Sequence, residues 1–456
     1  MKRKKIWLNA PAKIVLSFIG LILVGTFLLC TPIASTTGQW WNFTDAFFTS
    51  TSAVCVTGLV VVDTAVHFTI FGQIVLLLLI QIGGFGFISF SALLILAAGK
   101  RLSYRNRVLL QESLNRDSNQ GVAKLFKEIA IIVFSIEATG FLLLLPSMII
   151  QYGSAGIFKA LFLSVSAFCN AGFDVMGTTG TQFQNLIPFA KNVFVLLPIM
   201  FLVVNGGIGY MVILECVNKF KKKEKQPFSF HVKIVLAVTT ILIVVGAAMF
   251  AIFEWNNPDT MGNMNVFEKI MNSLFQSITP RTAGFATIDQ AKLTSSSRLI
   301  TDILMFIGGS PSSVAGGVKT TTIFVLLCSA FRSTAQNGDI IVAKKSISHK
   351  TVQRALRIVA IAVILVVFGT VSICLLEHNN PMANSSSVIF EVLSAISTVG
   401  VSLGLTPTLG INAKLILVGL MFVGRVGSLT LAYSIRRKPK DAYGLIQYQD
   451  SKIVVG

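Results

Sequence analysis

Residues 397–401 read STVGV. Thr-Val-Gly is the central triplet of the loop in which potassium-selective pores replace an ion's water shell by backbone carbonyls. One such loop cannot enclose an axis; a filter of this kind takes four. The triplet occurs once in the chain, so the reading turns on whether altered copies stand elsewhere.

Three do. The four stretches are FFTSTSAVCVTGL (47–59), LFLSVSAFCNAGF (161–173), SLFQSITPRTAGF (273–285) and FEVLSAISTVGV (390–401). Aligned on Gly58, Gly172, Gly284 and Gly400, each ends in a small or β-branched residue, the glycine and an apolar residue. Ten positions before the glycine stand Phe48, Phe162, Leu274 and Phe390; five before it stand Ala53, Ala167, Thr279 and Ala395. Successive glycines are 114, 112 and 116 residues apart. Regular spacing over a whole chain marks internal repetition. Glycine suits the site, because turning successive carbonyls toward an axis takes backbone angles that a Cβ penalises. Four glycines serving unrelated turns do not explain the common register.

The surrounding composition is that of a membrane protein. The chain of 456 residues is 53% hydrophobic and 12% charged, and its mean hydropathy is +0.75; globular chains carry about 25% charged residues. Apolar runs near the roughly 20 residues that span a bilayer occur at 14–33, 70–98, 129–150, 193–217, 234–253, 299–331, 358–376 and 413–433. The first, though preceded by Lys2–Lys5, is long, lacks a clean small-residue cleavage site and is followed by further spans, so it reads as a helix and not a leader. With a cytoplasmic N-terminus, 29 of the 38 Lys and Arg fall in inside segments, notably 100–127, 219–233 and 332–357. That is the positive-inside asymmetry, with both termini cytoplasmic. The net charge of +19 is therefore a topology signal and a candidate docking surface for a partner, not a nucleic-acid footprint.

These features give an all-α polytopic membrane protein: four parallel helix–pore loop–helix repeats, eight transmembrane helices, around one pseudo-four-fold pore. The expected repeats are 1–99 (pore loop 44–59), 100–218 (pore loop 157–173), 219–332 (pore loop 266–285) and 333–456 (pore loop 386–401, then the C-terminal tail). Each contributes two spans, so all four loops re-enter from outside.

A second repeat lies within the span after each loop: Gly83-Gly84-Phe85-Gly86, Gly206-Gly207-Ile208-Gly209, Gly308-Gly309-Ser310 and Gly424-Arg425-Val426-Gly427. In the first two, close helix packing through small residues is the expected role. The third expands to GGSPSSVAGGVKTTT (308–322). Gly308, Gly309, Gly316 and Gly317 with Ser310 and Pro311 cannot sustain a helix, so this span is expected to break near mid-membrane as a plug beneath the filter. A phosphate-binding loop is excluded, because Val318 separates Gly317 from Lys319 and no strand precedes. In the fourth copy Arg425 brings a guanidinium to membrane depth, where it faces a cavity or a partner. Glu137, the other conspicuous mid-span charge, is the alternative partner; Arg425 is expected to face the pore.

Other chemistry is thin. The six cysteines form no Cys-x-x-Cys pattern, and His67, His231, His349 and His378 are scattered, so no disulfide framework, metal centre or enzyme site is expected. Acidic residues gather outside, with Asp45, Asp63, Asp174, Asp289 and Glu391 near the loops; they read as cation attractors or as helix caps. Arg281, inside the third loop, is expected to pair with one of them. A sodium-coupled secondary transporter of another solute is the alternative class, but it predicts two related halves, often inverted.

Together the four glycine loops, the broken third-repeat helix and the fourth-repeat arginine make the whole chain resemble the Trk/Ktr/HKT superfamily of potassium transporters, most closely the bacterial Ktr membrane (ion-translocating) subunit. The resemblance implies a potassium-binding selectivity filter of Val56, Thr57 and Gly58; Asn170, Ala171 and Gly172; Thr282, Ala283 and Gly284; and Thr398, Val399 and Gly400. Residues 308–322 become an intramembrane gating loop with Lys319, opposed by Arg425. Plant relatives with serine in the first loop carry sodium, so Gly58 implies potassium. The resemblance further implies a homodimer in the bacterial plasma membrane, a cytosolic nucleotide-binding regulatory ring, stimulation by Na+ and no cofactor or metal beyond transported K+. One departure stands out. Leu59, Phe173, Phe285 and Val401 follow the glycines, none continuing to the Tyr-Gly of strict potassium channels, which points to weaker discrimination against sodium.

Overall fold

A computed structural model describes residues 10–86, 92, 95–96, 122–221, 227–331, 339–343 and 345–427. The N-terminal basic run, most of segment 100–127, residues 332–338 and the tail beyond 427, on which much of the orientation argument rests, lie outside the described residues.

The described chain is almost entirely helical, as the composition predicts. A long helix, a short buried helix and a second helix recur four times. α1 (Ala10–Cys30), α2 (Phe43–Val54) and α3 (Ile70–Phe85) come first. α4 (Val122–Tyr152), α5 (Ala155–Phe168) and the bent pair α6 (Val193–Ile208) and α7 (Tyr210–Phe220) follow. Next are α8 (Phe230–Glu254), α9 (Val266–Ile278), α10 (Ser295–Phe306) and α11 (Thr320–Phe331). The last set is α12 (His349–Leu376), α13 (Ser385–Ile396) and α14 (Ile411–Val426). A two-stranded antiparallel hairpin, β1 (Ile340–Val342) and β2 (Lys345–Ile347), stands before α12 and departs from the purely helical expectation.

Side-chain caps start the short helices α2, α9 and α13, whereas α5 begins after Ser154 without one. Asn42 and Asn384 accept hydrogen bonds from Thr44 N and Ser387 N at 2.9 and 2.8 Å. Asn265 and Glu268 cap each other's backbone in a capping box. These helices are buried along most of their length; Phe48, Phe162 and Phe390, ten positions before their glycines, are core residues. Their C-termini, the negative ends of the helix dipoles, stand immediately before the glycine loops.

Among the described residues four helices are long and apolar enough to cross a membrane (Ala12–Cys30, Ala123–Tyr152, Phe230–Glu254 and His349–Leu376), and α6 with α7, bent by 107°, makes a fifth when the pair is counted as one span. The remaining expected crossings are interrupted at the second glycine repeat. α3 ends on Gly86 (φ 78°), α6 on Gly209 (φ 104°) and α14 on Gly427 (φ 87°), while residues 308–319 separate α10 from α11. The packing role expected for the first two copies is thus only half of what they do. Gly83, Gly206 and Gly424 do lie against the pore-helix ends, where a Cβ would meet the carbonyls of Val54, Phe168 and Ile396. A few residues later the same motif breaks the helix, since only glycine takes those φ values without strain.

Candidate functional site

The four filter glycines meet in a ring. A Cβ on Gly172 would lie 2.9 Å from Ala283 O, and one on Gly284 would lie 2.6 Å from Val399 O. On Gly400 it would run into Thr57 O, and on Gly58 into Ala171 O. Each loop therefore leaves no room for a side chain beside the next loop's backbone, and the fourth closes on the first. All four glycines have positive φ, at 95°, 69°, 80° and 89°. Two residues earlier Val56, Asn170, Thr282 and Thr398 also take φ of 57°, 55°, 75° and 52°. A non-glycine residue in this region costs about 1–2 kcal/mol, and three of these are β-branched. Repetition of one strained conformation at four equivalent points shows that the surrounding structure imposes it.

The bracing side chains were missed in the sequence. Ser52 and Ser394, six positions before their glycines, accept from Gly58 N and Gly400 N at 3.1 and 3.0 Å. The equivalent Ser166 donates to Phe173 O at 2.6 Å. In the third loop, where Ile278 occupies that position, Thr279 donates to Phe285 O at 2.5 Å. The signal was available as a serine at one offset in three of four copies.

Outside the ring the glycines open on a cavity of about 440 Å3, which Asp63, Asp174 and Asp289 also line. Each of these carboxylates also accepts from nearby backbone N–H groups: Asp63 from Ala65, Val66 and Phe183, Asp174 from Met176, Asp289 from Ala291. These three acids therefore accept backbone hydrogen bonds and also line the cavity. Burial pushes the Asp174 carboxyl up to about 6; the Met176 N–H and Lys159 oppose this, and Asp63 adds to it. The other two outer acids serve differently. Asp45 pairs with Lys414 at 2.8 Å, the only ion pair among the described residues. Glu391 is buried and accepts from Ser402 Oγ at 2.8 Å and from Thr406 Oγ1, so it ties the chain behind the fourth loop instead of facing the mouth. Arg281 does not pair with an acid. It is buried, with Nη2 3.5 Å from Thr239 Oγ1, because its position behind the third loop faces α8.

Beneath the ring lies segment 308–319. It folds back on itself through Gly308 N to Val318 O (3.0 Å), Val318 N to Phe306 O (3.3 Å) and Thr320 N to Gly309 O (3.1 Å). Ser310 Oγ and Thr320 Oγ1, 3.0 Å apart, close the same base. The bent second-repeat helix holds the tip. Ser310 N and Val314 N donate to Gly207 O and Gly206 O at 2.9 and 3.3 Å, and Ser312 O accepts from Tyr210 N at 2.9 Å. Pro311, lacking an N–H, presents its carbonyl toward Gly209. Gly316 sits under the fourth loop, where a Cβ would stand 2.7 Å from Ser397 O.

Arg425 completes this arrangement. Its guanidinium donates to Val314 O of the segment and to Gly83 O and Gly84 O of α3, the last two at 2.5 and 3.0 Å. It does not pair with Glu137, which accepts instead from Gln81 Nε2 at 3.0 and 3.1 Å. Lys319 turns back on the segment, donating to Ala315 O at 2.5 Å. Loss of the guanidinium removes charge-assisted bonds worth about 1.5–3 kcal/mol each. A cysteine at Ser313 is therefore expected to react at least about tenfold faster with a soluble maleimide in Arg425→Ala than with arginine present. Equal rates would show that Arg425 does not hold the segment.

Comparison with known proteins agrees with this geometry. A family model described as TrkH, cation transport protein, matches residues 10–445, a stretch that includes all four glycine loops, the interrupted helix and Arg425. The Ktr system potassium uptake protein B of Bacillus subtilis is 36% identical over 447 residues, 98% of this chain and 96% of that protein. The potassium/sodium uptake protein NtpJ of Enterococcus hirae is 35% identical over 456 residues, 100% of this chain and 99% of that one. The crystal structure of the potassium transporter TrkH from Vibrio parahaemolyticus shares the fold, with a TM-score of 0.72 at 17% identity, over 96% of this chain and 87% of that one. With the model and full-length relatives spanning both the ring and the segment beneath it, the chain belongs to the TrkH family of cation transport proteins.

Proposed function

We propose that this chain carries potassium into a bacterial cell across the plasma membrane through the ring of Gly58, Gly172, Gly284 and Gly400, with segment 308–322 and Arg425 as its gate. The closed ring of four positive-φ glycines, opening on an acid-lined vestibule, is the observation that carries this reading. Non-helical backbone at membrane depth is stable only where it is buried or lines a watery path; here the loops are buried and their glycines border the vestibule cavity. The relatives' names, potassium uptake and potassium/sodium uptake, agree with K+ as the ion and with Na+ as a second ion that is carried or that stimulates. A transporter built from two inverted halves does not produce four loops closing head to tail. The basic inside segments suit a cytosolic nucleotide-binding regulatory subunit, and the family resemblance implies a homodimer.

Rescue of a potassium-uptake-deficient bacterium at low external potassium, with and without such a subunit, tests the whole reading; absence of rescue in both arms overturns it. The filter assignment is tested by Gly58→Ser. Its side chain meets Ala171 O, and its φ of 95° is hostile to a Cβ, so rubidium uptake should lose its preference over sodium several-fold. An unchanged preference removes Gly58 from the filter.

The gate rests on competition between two loop positions that differ by a few kcal/mol. Beside the segment a cavity of about 270 Å3, lined by Lys319, Arg425 and residues of α12, leaves space for withdrawal. Deleting residues between Gly309 and Gly317 should raise liposome flux without any regulator, and Arg425→Ala should act in the same direction. The double variant should give less than the sum, since both remove one barrier. Folded variants with unchanged or lower flux would leave the segment a structural kink.

The vestibule sets a pH dependence. With its carboxyl raised to about 6 by burial first, and then by Asp63, Asp174 is charged at neutral pH and loses its charge as pH falls through that value. Uptake at limiting potassium is therefore expected to fall between pH 7 and 5, and Asp174→Asn to flatten that profile. An identical profile in the variant separates Asp174 from cation capture.

A further inference from the structure

A second large cavity, about 670 Å3, lies away from the ring between α8, α11 and the β-hairpin. Its size is within the range of ligand sites, about 300–1,000 Å3. Ile234, Val238 and Ile241 of α8 and Ile323 and Leu327 of α11 form its walls. Ile241 and Leu327 are 59% and 53% exposed, so the groove opens sideways, where a membrane helix meets lipid. From Phe230 to Leu242 the helix rises about 18 Å, close to the depth of one leaflet in a hydrocarbon core about 30 Å thick.

The two ends differ in chemistry. At one, Lys233 and Lys345 line the groove beside Phe228 and Phe230. Lys345 Nζ lies 5.5 Å from the Phe230 ring centroid, and Lys219 Nζ lies 4.0 Å from that of Phe228. Among the described residues no carboxylate lines the groove; the nearby Glu215 is occupied by Ser229 N and Oγ at 2.6 and 2.8 Å. At the other end stands Ile307, the C-cap of α10, whose backbone bridges to Val318 at the base of the intramembrane segment.

A positive rim over an apolar slot of leaflet depth matches an amphiphile with an anionic head. We propose that the groove binds one anionic phospholipid of the cytosolic leaflet, its phosphate between Lys233 and Lys345 and an acyl chain along α8 and α11 as far as Ile307. The proposal uses the orientation of the preceding section, with the basic segments on the cytosolic side. It does not depend on which ion is carried.

The test is quenching of a tryptophan reporter, Leu327→Trp, in the full chain reconstituted in phosphatidylcholine vesicles. A minor fraction of dibrominated phosphatidylglycerol or of dibrominated phosphatidylcholine is added, and the signal is read as the difference from the parent chain. Phosphatidylglycerol should quench more strongly at equal mole fraction. A lysine near an anionic lipid surface contributes about fivefold in affinity, so Lys233→Gln with Lys345→Gln should reduce that preference roughly twenty-fold while phosphatidylcholine quenching stays the same. Ala237→Phe, which fills the slot and leaves both lysines, should reduce quenching by both lipids. Equal quenching by the two lipids in the parent background would mean an ordinary lipid boundary. Absence of quenching by either would mean that protein, from a second copy or from this chain, covers the groove. Either result overturns the site, and neither depends on ion flux.

Discussion

Four backbones approach one another so closely at Gly58, Gly172, Gly284 and Gly400 that no Cβ fits between a glycine and the neighbouring loop's carbonyl. The rest of the structure follows from keeping that ring intact. Its loops are too short and too strained to hold themselves, with non-glycine residues at positive φ two positions before each glycine. They are held from behind by serines or a threonine on helices that are buried on nearly all sides. A buried helix cannot shift without opening voids in a close-packed interior, so the pore helices serve as rigid anchors. Phe48, Phe162 and Phe390 fill the same place in three repeats for that reason.

Below the ring the helix breaks have a consequence of their own. A helix that stops at membrane depth leaves carbonyls with no intrahelical partner, and water is not freely at hand. Gly206 O and Gly207 O, freed by the bend at Gly209, accept from the amides of segment 308–322. Gly84 O, freed where α3 ends, and Gly83 O, which also accepts from Gly86 N, accept from Arg425. The breaks of repeats one and two thus supply the sockets in which the irregular backbone of repeat three and the cation of repeat four are held. These sockets are made of hydrogen bonds, and Val314, Ala315 and Val318 of the segment are buried beside them.

The departures from four-fold likeness are concentrated in repeats three and four. Repeat three exchanges the bracing serine for Ile278 and Thr279, and directs the Arg281 guanidinium away from the pore toward Thr239 on α8. Repeat four places Glu391 behind its loop, bound to Ser402 and Thr406, in place of a carboxylate at the mouth. Among the described residues the carboxylates lining the vestibule, Asp63, Asp174 and Asp289, come from the first three repeats.

The spacing of the glycines, the cadence of helix, short helix and helix, and a break in the third-repeat span were all legible in the chain, although the break ends at 319 and residues 320–322 are already helix. Each is a local demand: a backbone angle that only glycine takes easily, a run of apolar residues long enough for a bilayer, a proline among glycines. The serine braces were legible in principle, since they recur at one offset. What the chain could not reveal was which groups meet across it. Arg425 binds carbonyls 341 and 342 residues away, and a backbone carbonyl has no side-chain signature to search for. Gly-Gly pairs read alike whether a helix packs closely or ends, and in repeats one and two only the neighbouring pore helix and the segment beneath it decide that both happen. Arg281 and Glu391 were misplaced for the same reason: charge and sequence position mark a residue as near the pore, but the side of the loop it occupies is set by how the four repeats close around one axis.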